Sequence, residues 1–386
     1  MRKGEKREEE IKVSKFYGLI ILFFLFAWPV NASGGDSKFK IPVRIGPQYP
    51  FQFFYTLFEP ESAKTLKKGT FSIFFLSSQT NTFGYSINSF IREREREEWD
   101  SGQFKLCHNK KKTKESWNCK SEGYSVLFDG EVTQRNVQLF WGISDFLEVQ
   151  YAYRSISFSG GNMDRTIENF HKNTAINNGG REWSDYDNLE VYLWDNERDE
   201  AVFQLLESTS FHKMAETVAL KLLLYNKNDQ YVVSLKLASN FNDEYFWKQL
   251  NEVDSMNQRK HRDFDDFNIT LYASAFKQDW AFHLALSQTR IDTPYFENTS
   301  DQLTFLFFGI NRKFDNFELI LQDLNYSSIF QKDPREAMGE DSNEFTTAIR
   351  WQVDSDLFIE TGFVEDLTHG LTNIDFSYFL ILQWII

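Results

Sequence analysis

The sequence predicts an all-β fold: a transmembrane antiparallel β-barrel of about fourteen strands, with twelve or sixteen as neighbouring counts. Three observations carry this. After residue 120, apolar and polar residues alternate in segment after segment, the period of a strand whose two faces meet different surroundings. Short polar turns alternate with long polar connections, the turns being Ser144-Asp145, Lys227-Asn228-Asp229, Lys277-Gln278-Asp279, Asp315-Asn316 and Asp354-Ser355-Asp356. The chain ends on an aromatic-rich alternation: Tyr378, Leu380, Leu382, Trp384 and Ile386 interleave with Phe379, Ile381, Gln383 and Ile385. A soluble β-sandwich is the competing fold, but it has no reason to sort its turns by length. A membrane barrel does, with short periplasmic turns and long external loops.

Composition agrees. Apolar residues make up 41% of the 386, enough for a packed core, and aromatics 17%, with 40 Phe. Mean hydropathy is −0.47. Beyond the N-terminus no apolar run is long enough for a membrane helix. A barrel needs none, because only every second residue faces lipid. The net charge of −14 argues against a nucleic-acid partner.

Residues 1–32 read as a secretory signal. A charged stretch to Lys15 precedes an apolar run over 16–30, and Val30-Asn31-Ala32 predicts cleavage after Ala32. The acidic Glu8, Glu9 and Glu10 depart from the usual pattern, and an uncleaved anchor is the alternative. Residues 33–69, with Pro42, Pro47, Pro50 and Pro60, read as an extended periplasmic or barrel-mouth segment. Residues 70–386 form the predicted barrel domain.

The first strand is expected near 70–82. A long loop follows with the chain's two cysteines, Cys107 and Cys119, around Lys110, Lys111 and Lys112. In an exported chain a disulfide stapling that loop is the expected state, with two free thiols the alternative. The basic tract reads as a solvated loop able to touch lipopolysaccharide phosphates.

Strand two presents Val137, Leu139, Trp141 and Ile143 on one face, and strand three presents Leu147, Val149, Tyr151 and Tyr153. The pattern recurs in Val218, Leu220, Leu222 and Leu224, in Tyr231, Val233, Leu235 and Leu237, and in Trp280, Phe282, Leu284 and Leu286. It returns in Phe345, Thr347, Ile349, Trp351 and Val353. Keeping all short turns on one side led to dividing 187–208 into two strands, broken at 196–199, which sets the count at fourteen.

The opposite faces then point into the lumen. Glu148, Arg154, Lys221, Lys236, His283, Arg350 and Glu360 are the lumen-facing candidates. Asp129 and Glu131 join them only if a bulge near Gly130 shifts the register. Buried charge must be hydrated or paired, so the lumen is either a water-filled channel or a paired polar core.

One stretch is more distinctive. It reads Phe128-Asp129-Gly130-Glu131, Trp141-Gly142, Ser159-Gly160-Gly161, Asp164, Ile167-Glu168, His171 and Gly179-Gly180-Arg181. This resembles a family of uncharacterised bacterial outer-membrane proteins, domain of unknown function 3187. Ala63, Leu66 and Gly69 after the proline-rich segment are similar too. The resemblance implies export and a barrel, and no particular activity.

A loop helix is expected over 163–175. Asp164, Glu168 and His171 fall on one of its faces, a spacing that could hold a divalent ion or bridge to lipopolysaccharide. The simpler reading is a helix that caps or plugs the mouth, with Asp164 favoured by the helix dipole, and no metal is expected. His283 and Ser287 share a strand face but lie about 13 Å apart, too far for direct proton transfer. No Gly-x-Ser-x-Gly elbow, cofactor motif or nucleotide motif is present, so an enzyme is not expected. The expected function is a channel or transporter for small solutes or lipids. A structural or surface-interaction barrel with a filled lumen is the alternative, and a lipid-acting enzyme is a more distant one. The expected partners are outer-membrane lipids, lipopolysaccharide and, through the C-terminal strand, the barrel-assembly machinery.

Overall fold

The structure, a computed structural model, describes residues 40–53, 55, 58–85, 124–174, 186–195, 200–242, 266–291, 299–332, 339–367 and 374–386. The expected signal peptide, both cysteines, the basic tract and Gly179-Gly180-Arg181 lie outside these residues.

One antiparallel sheet of fourteen strands dominates. Its strands are β1 (Phe71–Tyr85), β2 (Tyr124–Ser144), β3 (Leu147–Ser159), β4 (Glu190–Asp195), β5 (Glu200–Leu205), β6 (His212–Lys227) and β7 (Tyr231–Asn242). They continue with β8 (Asp266–Lys277), β9 (Trp280–Arg290), β10 (Gln302–Phe314), β11 (Phe317–Tyr326), β12 (Ser342–Gln352), β13 (Leu357–Asp366) and β14 (Phe376–Ile385). β1 pairs with both β14 and β2, so the sheet closes on itself. Helix α1 (Asp164–Thr174) lies between β3 and β4.

The ring itself has twelve strands, not fourteen. The predicted strands at 188–194 and 201–208 exist as β4 and β5, but they stand outside the ring. β2 pairs with β3 only as far as Glu131↔Ser159. Beyond it, Tyr124 to Asp129 of β2 pair with β4 instead, and β5 pairs with β4. Turn parity does not separate the two counts. A hairpin adds two strands at once, so every short turn stays on the same rim whether the hairpin spans or not.

The faces follow the alternation. Leu220, Leu271, Ile349 and Leu380 point outward and are 45–50% exposed. Their strand neighbours Ala219, Tyr272, Ala348 and Phe379 point inward and are buried. Large aromatics ring the outer surface at both ends. Trp141, Phe146, Trp280, Phe314, Phe317, Trp351 and Trp384 sit beside the short turns, and Phe241, Phe267, Phe363 and Tyr378 lie toward the opposite rim. An apolar band between two aromatic girdles is the surface that a bilayer requires of a barrel. A protein standing in water would not expose it.

The interior is filled. The described residues of 40–66 form a hairpin inside the ring, with both ends at the short-turn rim. At one end Lys40 Nζ bonds the carbonyl of Gln278 in the β8–β9 turn. At the other, Thr65 and Lys68 bond Asp145 in the β2–β3 turn. The tip, a short 3-10 turn over Pro50–Gln52, lies toward the long-loop rim. The segment expected at the periplasm or the mouth thus runs up the lumen and back before it becomes β1.

Candidate functional site in the barrel lumen

The rising arm follows the β9–β12 wall. Asn311 Nδ2 and Arg350 Nη1 each donate to the carbonyl of Ile41 at 2.7 Å. The Val43 N–H donates to Gln322 Oε1 at 2.6 Å, and the Gln48 N–H to Glu344 Oε1 at 2.8 Å. These bonds satisfy a backbone that has no sheet of its own. Arg350 also donates through Nε to Glu360 Oε1 at 2.9 Å and through Nη1 to Glu318. All three side chains are fully buried, and one guanidinium ties three adjacent strands.

The tip is apolar. The Phe51 ring meets Phe128, Phe203 and Phe330 edge-on at 5.8, 6.1 and 5.8 Å between centroids. Phe128 lies on β2 and Phe203 on β5. The β4–β5 hairpin therefore serves as a cap over the tip, with Val191, Leu193 and Leu205 in the same buried cluster.

The descending arm returns along β2, β3 and β6 to β8. Phe58 stacks on Phe305 at 5.4 Å and on Tyr272 at 6.4 Å. Glu59 accepts from Asn136 at 3.2 Å and from Gln138 at 2.7 Å. Glu61 is fully buried and receives Lys221 Nζ at 3.0 Å on Oε2 and Lys236 Nζ at 2.5 Å on Oε1. Arg44 of the rising arm approaches the same carboxylate at 3.6 Å. Below it the Ala63 N–H donates to Ser274 Oγ at 2.8 Å, and the Leu66 N–H to Glu148 Oε2 at 2.7 Å.

Glu148, Arg154, Lys221, Lys236, His283, Arg350 and Glu360 lie on the inward face of the ring, each no more than 4% exposed. Arg154 donates to Asn240 at 2.8 Å and to Thr217 at 3.2 Å. His283 Nδ1 shares a hydrogen bond with Ser274 Oγ at 2.8 Å. Ser287 bonds Asn268 and Thr270, so the structure does not assemble His283 and Ser287 into one site.

Asp129 and Glu131 do not face the lumen. The β1–β2 register runs unbroken through Gly130, with Asn81↔Glu131 and Phe83↔Asp129 opposite each other. Without a bulge both side chains keep the outward parity of Val137. They are buried because the chain after β3 folds over the outer wall. Glu131 Oε1 accepts the N–H groups of Asn162 at 2.8 Å and Met163 at 2.5 Å, just before α1. Gln79 of β1 donates to the other oxygen.

Asp164 accepts from Asn81 Nδ2 at 2.9 Å and from the Asp187 N–H at 2.8 Å, and Glu168 accepts from Tyr186. His171 lies on α1. Asp164 and Glu168 are thus engaged in fastening α1 and residues 186–187 outside the β1–β2 wall. The glycines permit the close approach. A Cβ on Gly161, whose φ is +75°, would lie 1.7 Å from the Glu131 carboxyl carbon, and one on Gly160 would lie 1.9 Å from the Asp187 carbonyl oxygen. The 129–131 and 160–168 parts of the distinctive motif form a strap at the long-loop rim, and among the described residues no three metal-ligating side chains cluster.

Glu61, Arg44, Glu59 and Gln48 have no strand periodicity to mark them, because they belong to the hairpin. Glu344 does share the inward parity of Thr346 and Arg350, so the alternation itself carried that signal. Glu318 lies on β11, whose alternation is interrupted by polar residues.

A closed twelve-stranded ring, an apolar outer band and a polar wall packed on the chain's own N-terminal hairpin define an internally plugged transmembrane β-barrel. The chain belongs to the family described as a protein of unknown function, DUF3187, which it matches over residues 17–385. No curated protein matches it. Among solved structures it is similar to the COG4313 outer membrane channel from Pseudomonas putida F1, at 9% identity and a TM-score of 0.49, over 85% of this chain and 100% of that one. It is also similar to the KdgM porin, at 6% identity and a TM-score of 0.34, over 68% of this chain and 96% of that one. A further similar structure is the P. putida toluene transporter TodX, at 7% identity and a TM-score of 0.32, over 88% and 91%. Likeness at this level adds nothing to the assignment, which rests on the chain's own closed ring and outer surface.

Proposed function

We propose that this protein is a gated channel or transporter of the bacterial outer membrane for small solutes or lipids, and that residues 40–66 are its gate. One observation carries this reading. The ring closes without the hairpin, through β1–β14 and β1–β2, and the hairpin meets a wall whose inward side chains are largely polar or charged. When the hairpin shifts, water hydrates that wall and the ring stays paired. The short-turn rim is periplasmic, so both hairpin ends lie on the side from which a periplasmic event could move it. The signal peptide is cleaved after Ala32, leaving a short lead into the hairpin. β14 addresses the chain to the assembly machinery, and the strap at the long-loop rim lies at the level of lipopolysaccharide.

The tight interior favours one second reading, a permanently filled structural barrel. The cavity between Glu59, Phe140, Arg154 and Lys236 holds about 10 Å³, the space of about one water. Single-channel recording decides between the two readings. A gate predicts a wild-type protein that is mostly silent, and stable conductance steps once Glu61→Ala frees the descending arm. A folded, heat-modifiable Glu61→Ala protein that stays silent overturns the gate and leaves the structural barrel.

A further inference from the structure

Lys221 on β6 and Lys236 on β7 are direct cross-strand partners, their Cα atoms in register and both side chains on the lumenal face. They are 1% and 3% exposed. Like charges directly opposite on neighbouring strands repel, and burial removes the water that would screen them. The sheet register holds the two ammonium groups together whatever the hairpin does. Glu61 resolves the conflict by placing one carboxylate oxygen on each lysine, at 3.0 and 2.5 Å. Glu148, opposite Lys221 on β3, offsets one of the two charges. Its carboxylate is directed to the Leu66 N–H and to Gln150. Without Glu61 the two lysines therefore keep a positive surplus over Glu148 at this point, and Arg154, which lines a small cavity with Lys236, Gln150 and Thr217, adds to it.

We infer that Lys221 and Lys236 form a carboxylate-binding station in the lumen, and that Glu61 of the gate occupies it in place of a solute carboxylate. The inference rests on the gate reading and names its cargo: small anionic solutes bearing a carboxylate. Closing the gate and binding the solute are then alternatives for one pair of lysines. A solute carboxylate competes with Glu61, and the departing solute returns the clamp to it.

Acetate supplies the two carbons that Glu61→Ala removes, so it is the probe. The full chain carrying Glu61→Ala is melted in detergent in sodium acetate and in sodium chloride of equal ionic strength. The expected result is a higher unfolding midpoint in acetate. Neither the wild type nor Glu61→Ala combined with Lys221→Met and Lys236→Met shows that shift. No acetate shift in folded Glu61→Ala, or the same shift in the triple variant, overturns the station. If Glu61→Ala refolds poorly in chloride, its refolding yield reads the same site. Recovery in acetate supports the station, and equal yields in the two salts overturn it. Conductance of the same samples separates the two claims. Folded Glu61→Ala that acetate stabilises but that carries no current keeps the station and sinks the gate. A conducting Glu61→Ala indifferent to acetate does the reverse.

Discussion

Arg44 and Glu61 face each other across the two arms of the lumenal hairpin, Nη1 to Oε1 at 3.6 Å, and Arg44 also lies 3.9 Å over the Phe140 ring of β2. The hairpin thus carries an internal ion pair at the level where it is bound to the wall. The two ends of that pair are unequal. Arg44 has one acidic partner among the described ion pairs, while Glu61 has three basic ones.

Removing each partner should show the inequality. Glu61→Ala strands two buried lysines and is expected to cost about 3–5 kcal/mol, the range for breaking a buried pair from one side. Arg44→Ala leaves Glu61 with both lysines and should cost clearly less. Replacing Glu61, Lys221 and Lys236 together by Leu, Met and Met should recover part of the loss, because the two facing lysines are gone while Arg44 and Glu148 each lose a counter-charge. Thermal unfolding in detergent, followed by gel mobility, measures all three.

The strap makes a separate prediction. Gly161→Ala places a methyl group on the Glu131 carboxylate and strains a positive φ, so either the carboxylate swings off the Asn162 and Met163 N–H groups or the 160–163 segment shifts. Glu131→Gln keeps the shape and weakens the bonds to the Asn162 and Met163 N–H groups, at about 1–3 kcal/mol. Limited proteolysis of the folded protein should cut near α1 faster in both variants, and fastest in Gly161→Ala. Unchanged cleavage would show that the strap does not depend on this contact.

Leu271 stands in the middle of the outer band, between Leu235 and Leu286 on the neighbouring strands. Leu271→Arg should lower stability in lipid by about 2–4 kcal/mol, the cost of arginine at the midplane of a barrel's lipid face. An exposed leucine in water would accept arginine at almost no cost, so folding titrations in vesicles test the outer face directly.

The gate can be locked. The Ala63 N–H reaches Ser274 Oγ at 2.8 Å, and cysteines at these two positions are the crosslink that tests the lock. With Cys107 and Cys119 replaced by serine, Ala63→Cys with Ser274→Cys should silence the conductance of Glu61→Ala under oxidising conditions. Reductant should restore it. Conductance indifferent to oxidation would mean that the descending arm does not move when the pathway opens.

Much of the wall is legible in the chain. Strand alternation sends Lys221, Lys236 and Arg350 inward and Leu220, Leu235 and Ile349 outward. Turn lengths assign both rims, and the chain end announces β14. Asp129 and Glu131 follow the same parity, with no bulge at Gly130. Their burial comes from a loop laid over the wall, which alternation along a strand does not record.

Local conformation is written in the chain, because a strand with one lipid face carries its period in every second residue. The sidedness of the turns is written there for the same reason. Only the tertiary structure decided that twelve strands close the ring, since a hairpin inside or outside it leaves the turn pattern unchanged. Only the tertiary structure placed 40–66 in the lumen. That segment has no period of its own, and its described residues are held by wall partners that lie 32 to 329 positions away in the chain, from Thr80 to Ser377.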